Sequence, residues 1–227
     1  PKAMVGYLSP NHRREITGNE HVRKAFLQAI DKETFAKEIL GDGSTALNGF
    51  VPANFAKNPD TGEDFRKENG DLLPYNIKEA QANWNKAKEE LGKDKIELEL
   101  ISADSAIAKK TIEFVQGQLQ QNLPGLTIKL KSLPLQNRLD LQTAGNYDLA
   151  FGTWTPDYAD PFNFLEFYDS KSGLNTSGYN DSAYDAGLQK VRKDYANEPE
   201  KRWNELLSLE KTLIEKDAGV LPLFQGA

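Results

Sequence analysis

The spacing of apolar residues changes several times along this chain, and each change marks a different element of secondary structure. Alternating apolar and polar residues predict strands around 96–100 and 128–130, and a short apolar run predicts a third at 147–151. Spacings of three and four residues predict helices between them, at 107–119 and 135–145. Strands that alternate with helices at this spacing form βαβ units, so the pattern predicts an α/β fold.

The first part of the chain shows a helix followed by a long irregular segment. Asn19 is a predicted helix cap, and the apolar spacing after it predicts one helix that runs past Ile39 and ends at Gly41. Residues 42–73 have no period, and segments of this length inside a domain are usually functional or packed surface loops. Because this segment contains apolar residues such as Phe50, we expect it to pack against the fold near the ligand cleft.

A second helix is predicted after this segment, with clear signals at both ends. Asn76 and Glu79 have the spacing of a capping box, and Gly92 is the predicted stop. The buried face of the helix is predicted to include Ile77 and Trp84. The end of the chain is predicted to contain helices at 181–195 and 198–216 and a last strand at 220–224.

Composition excludes several classes of function. The 227-residue chain has a formal net charge of −6, whereas nucleic-acid binding needs a clustered basic face. It contains no cysteine, which excludes disulfides, thiol catalysis and thiolate metal sites. No apolar run approaches the ~20 residues of a membrane span, and no phosphate-binding motif is present. We therefore expect no nucleic-acid partner, no metal and no cofactor.

Catalysis has no support in the sequence. The two histidines, His12 and His21, lie in the N-terminal region, where no motif places them beside a nucleophile. We expect both to be exposed polar side chains and the protein not to be an enzyme. A surface enzyme that acts on peptides is the rival hypothesis, and a peptidase assay would test it.

The stretch after the third central strand carries the candidate binding residues. In open α/β folds, ligands bind at the carboxyl ends of strands, and this strand leads into a large apolar side chain, Trp154, and a carboxylate, Asp157. Turn propensity alone also explains Asp157 as a surface acid, and Trp154 could be ordinary core. The candidate ligand-binding residues are Gly152, Thr153, Trp154, Thr155, Asp157 and Tyr158.

Several motifs, in the same order along the chain, resemble those of the oligopeptide- and dipeptide-binding proteins of ABC importers. The segment Val22–Glu33 resembles the VRxAxxxAIDR/K helix of that family, and Gly43 with Gly49–Pro52 resembles its G…GxxP loop. The motifs are spread over about 20–225, which is nearly the whole chain. The remaining matches are Tyr147–Ala150, Trp154, Asp157-Tyr158, Asp160-Pro161, Asn175, Tyr179-Asn180, Asp217 and Val220–Phe224.

The resemblance implies one lobe of a two-lobe, type II periplasmic-binding-protein-like fold, with a mixed sheet and flanking helices. Residues 1–227 would form the C-terminal lobe, with hinge segments near 1–10 and 220–227, and the N-terminal lobe would be missing. It implies an extracytoplasmic lipoprotein of the Gram-positive type, anchored outside these residues, that captures oligopeptides for an ABC permease without catalysis. A receptor for a signalling peptide and a binding protein for dipeptides or another small solute are the alternatives.

The resemblance also assigns roles to residues of the candidate site. Backbone groups of 152–155 would pair with the peptide, and Asp157 stands where enteric relatives use an aspartate to bind the peptide α-ammonium group. Phe151 and Ala108 stand where those relatives have an arginine and a histidine that face the peptide carboxylate. We therefore expect the carboxylate either to stay free or to be bound by the other lobe.

Overall fold

One mixed sheet of six strands organises residues 3–227, the part of the chain described by this computed structural model. The strands are β1 (Val5–Pro10), β2 (Thr45–Ala46), β3 (Ile96–Ala103), β4 (Leu126–Leu133), β5 (Leu149–Trp154) and β6 (Leu221–Gln225). Their order across the sheet is β2-β6-β1-β5-β3-β4. β3 is parallel to β4 and β5, whereas β1 is antiparallel to β5 and β6. The predicted α/β class with a mixed sheet and flanking helices is confirmed.

Helices connect and cover the strands. The helices are α1 (Glu20–Gln28), α2 (Lys32–Thr34), α3 (Phe65–Asn69), α4 (Ile77–Leu91), α5 (Ala106–Asn122), α6 (Leu135–Ala144), α7 (Pro161–Leu165), α8 (Ser182–Gln189) and α9 (Pro199–Lys211). α5 joins β3 to β4 and α6 joins β4 to β5, so the central βαβαβ order predicted from the spacing is confirmed. α2, α8 and α9 each continue into a π-helical turn, through Leu40, Asp194 and Lys216.

The first helix is shorter than predicted, because one long-range and one local hydrogen bond of Asp31 end it and start a new helix. α1 ends at Gln28, and the backbone N–H of Asp31 donates to the side chain of Gln118 at 2.9 Å instead of continuing the helix. The Asp31 carboxylate then caps α2 by accepting the N–H of Thr34 at 3.2 Å. Gly41, at φ +56°, ends the π-helical turn as predicted.

The second predicted helix is α4, with two differences in detail. The side chain of Asn76 accepts the N–H of Glu79 at 3.1 Å, but the N–H of Asn76 donates to Gln28 O at 2.8 Å, so only half of the capping box forms. Trp84 is fully buried, and its ring lies 6.0 Å from that of Phe26 on α1. Ile77, in contrast, is 37% exposed and lies outside the buried face of α4, which consists of Ala80, Trp84 and Ala87.

The irregular segment 42–73 packs tightly, as predicted, and contains the short elements β2 and α3. Phe50, Val51 and Leu72 are buried in the main core. Fully buried Glu210, on α9, holds the segment through five hydrogen bonds. They come from the N–H groups of Phe50 and Val51 (3.0 and 2.8 Å), both Nη atoms of Arg66 (2.7 and 2.8 Å) and the amide of Asn69 (2.7 Å).

The prediction that both histidines are exposed is wrong. His12 Nε2 lies 2.9 Å from the carbonyl oxygen of Gly219, and burial, reinforced by the charge of Arg23, lowers the pKa of His12 to about 4. His21 Nδ1 lies 2.7 Å from a carboxylate oxygen of Glu90, and its side chain is only 15% exposed. Both rings therefore have structural partners within the fold.

Candidate functional site

The central sheet opens at the carboxyl end of β5, and this opening forms a cavity. β3 and β5 pair at Leu100 with Leu149 and at Ile101 with Ala150, and beyond that point the two strands separate. A cavity of about 230 Å³ fills the gap. Its lining residues are Met4, Ala103, Ser105, Ile107, Ala108, Leu135, Arg138, Phe151, Gly152 and Thr153. The position matches the expectation that ligands bind where parallel strands end.

The hydrogen bonds of β5 show which of its residues direct their backbone groups into this gap. The N–H of Asn11 donates to the carbonyl oxygen of Asp148 at 2.9 Å, so Asp148 faces the β1 side. The carbonyl oxygen of Phe151 accepts instead from Arg138 Nη1, at 3.2 Å, on the cavity side. Backbone groups in an antiparallel pair alternate between the two sides, so even-numbered residues of β5 face β1 and odd-numbered residues face the cavity.

This alternation divides the four residues predicted to pair with a peptide backbone. Gly152 and Trp154 lie opposite residues of β1 and direct their amide groups toward it. Thr153 directs its N–H and C=O toward the side where β3 has separated, and its side chain is exposed. Thr155 follows the end of β5 and is also exposed. Thr153 is thus the position in β5 with the geometry of a free strand edge.

Arg138, on α6, is the charged residue of the cavity. Its Nη1 donates to Gln142 Oε1 at 2.8 Å and to Phe151 O, while its Nε is buried without a partner. Gly152 makes room for the guanidinium, because a Cβ at this position would lie 3.0 Å from Arg138 Nη1 and 3.4 Å from the hydroxyl of Tyr7. Burial lowers the pKa of Arg138 and raises that of Tyr7 to about 12.

The side chain of Trp154 packs under the loop that follows β5. Its ring lies edge-on against Phe164 and Phe167, with centroids 5.1 and 5.4 Å apart. It remains partly exposed, so it contributes to the core on one side and to the rim on the other. The core interpretation therefore holds for one side of the ring, and the role of Trp154 as a pocket wall stays a prediction.

The turn at 155–160 contains two aspartates with different environments. Asp160 caps α7 by accepting the N–H of Phe162 at 2.9 Å, and it pairs with Arg202 at 2.9 Å. Asp157 is exposed, and its carboxylate contacts no donor among residues 3–227. Its backbone N–H donates to the side chain of buried Asn163 at 2.7 Å, which fixes the turn. Asp160 is therefore a structural residue, and Asp157 holds a free carboxylate at the rim.

Tyr158 lies next to Asp157 on the same turn and is 47% exposed. Its N–H lies 3.4 Å from the same Asn163 oxygen. Burial of part of its ring raises the pKa of Tyr158, so the phenol stays neutral. It offers an exposed aromatic face beside the free carboxylate.

Sequence reasoning missed two residues of the site, Arg138 and Tyr7. Phe151 and Ala108 stand where enteric relatives have the arginine and histidine that face the peptide carboxylate, and both line the cavity. Arg138 reaches the same cavity from a different element, α6. The spacing in the sequence located α6 but marked Leu135 and Leu139 as its apolar positions, and these leucines are 54% and 40% exposed. No sequence signal distinguishes Arg138 from an ordinary surface arginine.

Two kinds of feature are absent from the described part of the chain. Residues 3–227 contain no group of three or more histidine, cysteine, aspartate or glutamate side chains placed to hold a metal ion. Over the same range, no helix has the length and apolar character needed to cross a bilayer.

Comparison with known proteins decides the family. The sequence profile of the bacterial extracellular solute-binding proteins, family 5 Middle, matches residues 1–176. The chain belongs to this family. It is 35% identical over 178 residues to the dipeptide-binding protein of Lactococcus lactis subsp. cremoris (strain MG1363), a match that covers 78% of this chain and 32% of that protein. The chain thus spans about a third of the length of the curated relatives it matches.

Solved structures of peptide-binding proteins have the same fold. A crystal structure of the peptide-binding protein of a peptide ABC transporter superposes with a TM-score of 0.93 at 40% identity, and 99% of each chain is covered. Listeria monocytogenes OppA bound to peptide superposes with a TM-score of 0.91 at 37% identity, over 99% of this chain and 43% of that one. Solved chains of both lengths therefore contain the fold described above.

Proposed function

We propose that this chain is the C-terminal lobe of a two-lobed protein that captures oligopeptides outside the cytoplasm and delivers them to an ABC permease. Membership of family 5 and the likeness to a peptide-bound OppA structure support peptide as the ligand. The protein acts by closing its two lobes around the peptide and performs no chemistry on it. The second lobe supplies the other wall of the site.

The observation that carries this proposal is the open rim of β5. Thr153 directs backbone groups to a side where no strand pairs with it, and Asp157 presents a carboxylate without a protein partner. An extended peptide offers the complement of both, since its backbone can pair with a strand edge and its amino terminus carries a positive charge. Gly152, Trp154, Thr155 and Tyr158 complete the proposed site.

We also propose the domain organisation and the location of the whole protein. Residues 1–227 form a single lobe, with hinge segments near 1–10 and 220–227, of which residues 1 and 2 lie outside the described part. Val5 pairs with both Trp154 and Gln225, so both hinge segments adjoin the proposed site. The content of Lys, Asn and Glu and the segment 218–224 support a membrane-anchored lipoprotein of the Gram-positive type.

Native mass spectrometry of the gently purified two-lobed protein tests this function. We expect peptide adducts that disappear on unfolding, whereas a non-peptide solute in their place would contradict the proposal. A mixture of sequences indicates nutrient uptake, and one dominant sequence indicates a signalling receptor. The 227-residue chain alone should bind the same peptides with a Kd weaker than about 1 μM, because half of the contact surface is missing.

A further inference from the structure

We propose that Arg138 binds a carboxylate of the captured peptide, in the cavity between β3 and β5. This inference rests on the peptide-binding function proposed above and names a residue and a ligand group that the function alone does not specify. Its basis is the charge balance of the cavity, which holds one guanidinium and no carboxylate among its lining residues.

Arg138 has no counter-ion within the described part of the fold. No aspartate or glutamate of residues 3–227 lies within ion-pair distance of it, whereas Arg66 and Arg192 pair with carboxylates. Arg23 also lacks a carboxylate partner, but all three of its guanidinium nitrogens donate to backbone carbonyl oxygens. The two hydrogen bonds of Arg138 go to neutral oxygens and both use Nη1. The Nε–H of Arg138 is buried without a partner, which is costly, and an anion bound beside Nε satisfies this donor.

The surroundings of Arg138 also favour an anion. The N-terminal turn of α5 borders the cavity through Ser105, Ile107 and Ala108, and the positive end of a helix dipole favours negative charge nearby. The side chain of Ser105 already accepts the N–H of Ala108 at 3.2 Å, so the unpaired donors in this turn are those of Ala106 and Ile107. The helix and the guanidinium thus attract the same kind of ligand group.

The volume of the cavity suits one ionic group. About 230 Å³ accommodates a carboxylate with a small part of the chain that carries it, and not a whole oligopeptide. Within a peptide the available anions are the α-carboxylate and the side chains of Asp and Glu. Arg138 is a forked donor that can bind any of these with two parallel hydrogen bonds.

Gly152 has a defined part in this arrangement. A Cβ at position 152 would lie 3.0 Å from Arg138 Nη1, so a side chain there would shift the guanidinium by a few tenths of an ångström. Replacing Gly152 by alanine therefore perturbs the proposed anchor without altering its charge.

The test measures binding of three alanine oligopeptides to the full two-lobed protein by calorimetry. One has a free carboxyl terminus, the second is its C-terminal amide, and the third is an amide with one internal glutamate. The proteins are the wild type, Arg138→Gln, Gly152→Ala, and Arg14→Gln as a control. Arg14 pairs with Asp148 at the opposite end of β5 and lies outside the cavity.

We expect the wild type and Arg14→Gln to prefer the free acid over the amide by at least about tenfold, and Arg138→Gln to bind both equally. Gly152→Ala should reduce the preference for the free acid over the amide. If the wild type binds the glutamate-containing amide more tightly than the plain amide but does not prefer the free acid, the carboxylate bound by Arg138 is that of a side chain. An acid preference that survives in Arg138→Gln, or equal weakening of all three peptides, would overturn the inference. If no peptide binds the wild type, the proposed function itself fails.

Discussion

Two regions of this molecule each contain an arginine and a carboxylate, and they use them in opposite ways. Around Glu210, the carboxylate is fully buried, and Arg66 pairs with it at 2.7 Å. At the rim of β5, Asp157 and Arg138 have no ionic partner within the described part of the chain. One region is complete within the fold, and the other has one unpaired charge of each sign.

The difference separates structural charges from charges available to a ligand. Glu210 fastens the segment 42–73 to α9, so its hydrogen bonds stabilise the fold and leave nothing for a ligand. An extended peptide carries a positive amino terminus and a negative carboxyl terminus, which is the complement of an unpaired acid and an unpaired base. Substitutions in the first region should therefore change stability, and those in the second should change binding.

The largest effect is expected for Glu210→Gln. The substitution keeps the shape but leaves buried Arg66 without a counter-ion and places an amide N–H₂ against donors. Removing one partner of a buried pair costs about 3–5 kcal/mol, so the free energy of unfolding should fall by that amount in urea denaturation. Glu97→Gln is the matched control, because Glu97 pairs with Lys129 on the exposed surface at 2.8 Å. A similar decrease in the free energy of unfolding for both variants would show that burial does not make the Glu210–Arg66 pair more stabilising than an exposed pair.

A smaller effect is expected at His12, which is neutral in the fold. Because its pKa is lowered to about 4, the unfolded chain binds more protons than the folded one between pH 4 and about 6.5. Stability should therefore rise with pH across this window, by at most about 3 kcal/mol from this residue. His12→Gln keeps a donor for Gly219 O and should reduce the slope of unfolding free energy against pH.

Asp217 provides the opposite control in the same window. Burial, with the nearby Asp181, raises the pKa of Asp217 to about 6, so here the folded chain binds the extra proton and stability falls as the pH rises toward 6. Asp217→Asn should make the slope steeper where His12→Gln makes it shallower. If both substitutions change the slope of unfolding free energy against pH in the same direction, the pKa of His12 is not lowered or that of Asp217 is not raised.

The sequence predicted the elements of this fold better than their packing. Alternation at 96–100 and 128–130 located β3 and β4 because one face of each strand is buried, which is what a period of two reports. The break between α1 and α2 was missed because it depends on Gln118, which is distant in sequence and bonds Asp31. Local spacing carries no information on such contacts.

The candidate site shows the same limit. Turn chemistry located the rim at 152–158, and the family resemblance selected Asp157 over its neighbour. Only the structure distinguishes the roles of Asp157 and Asp160, because the contacts of Asp160 with Phe162 and Arg202 show that its carboxylate already has partners within the fold. Arg138 was missed because its unpaired state is a property of three-dimensional surroundings, and an arginine on a surface helix is ordinary in sequence.

We propose above that the unpaired charges at the rim of β5 bind a peptide, and Asp157 provides the most direct test of this. An ammonium–carboxylate pair at a partly desolvated site is a strong polar contact. Asp157→Asn in the two-lobed protein should therefore reduce the affinity for a free-amine peptide by at least about tenfold, equivalent to 1.4 kcal/mol. Asp160→Asn is the matched control on the same turn. Its carboxylate is occupied by Arg202, so it should act mainly on stability.

The deciding measurement is calorimetry on four combinations, the wild type and Asp157→Asn, each with a free-amine peptide and with its N-acetylated form. Acetylation should cost the wild type about as much as the substitution does, and it should cost Asp157→Asn much less, because the contact is already lost. That non-additivity is the result our account predicts. Equal losses on acetylation in both proteins would show that Asp157 does not bind the peptide amino terminus, and that its free carboxylate is only a surface charge.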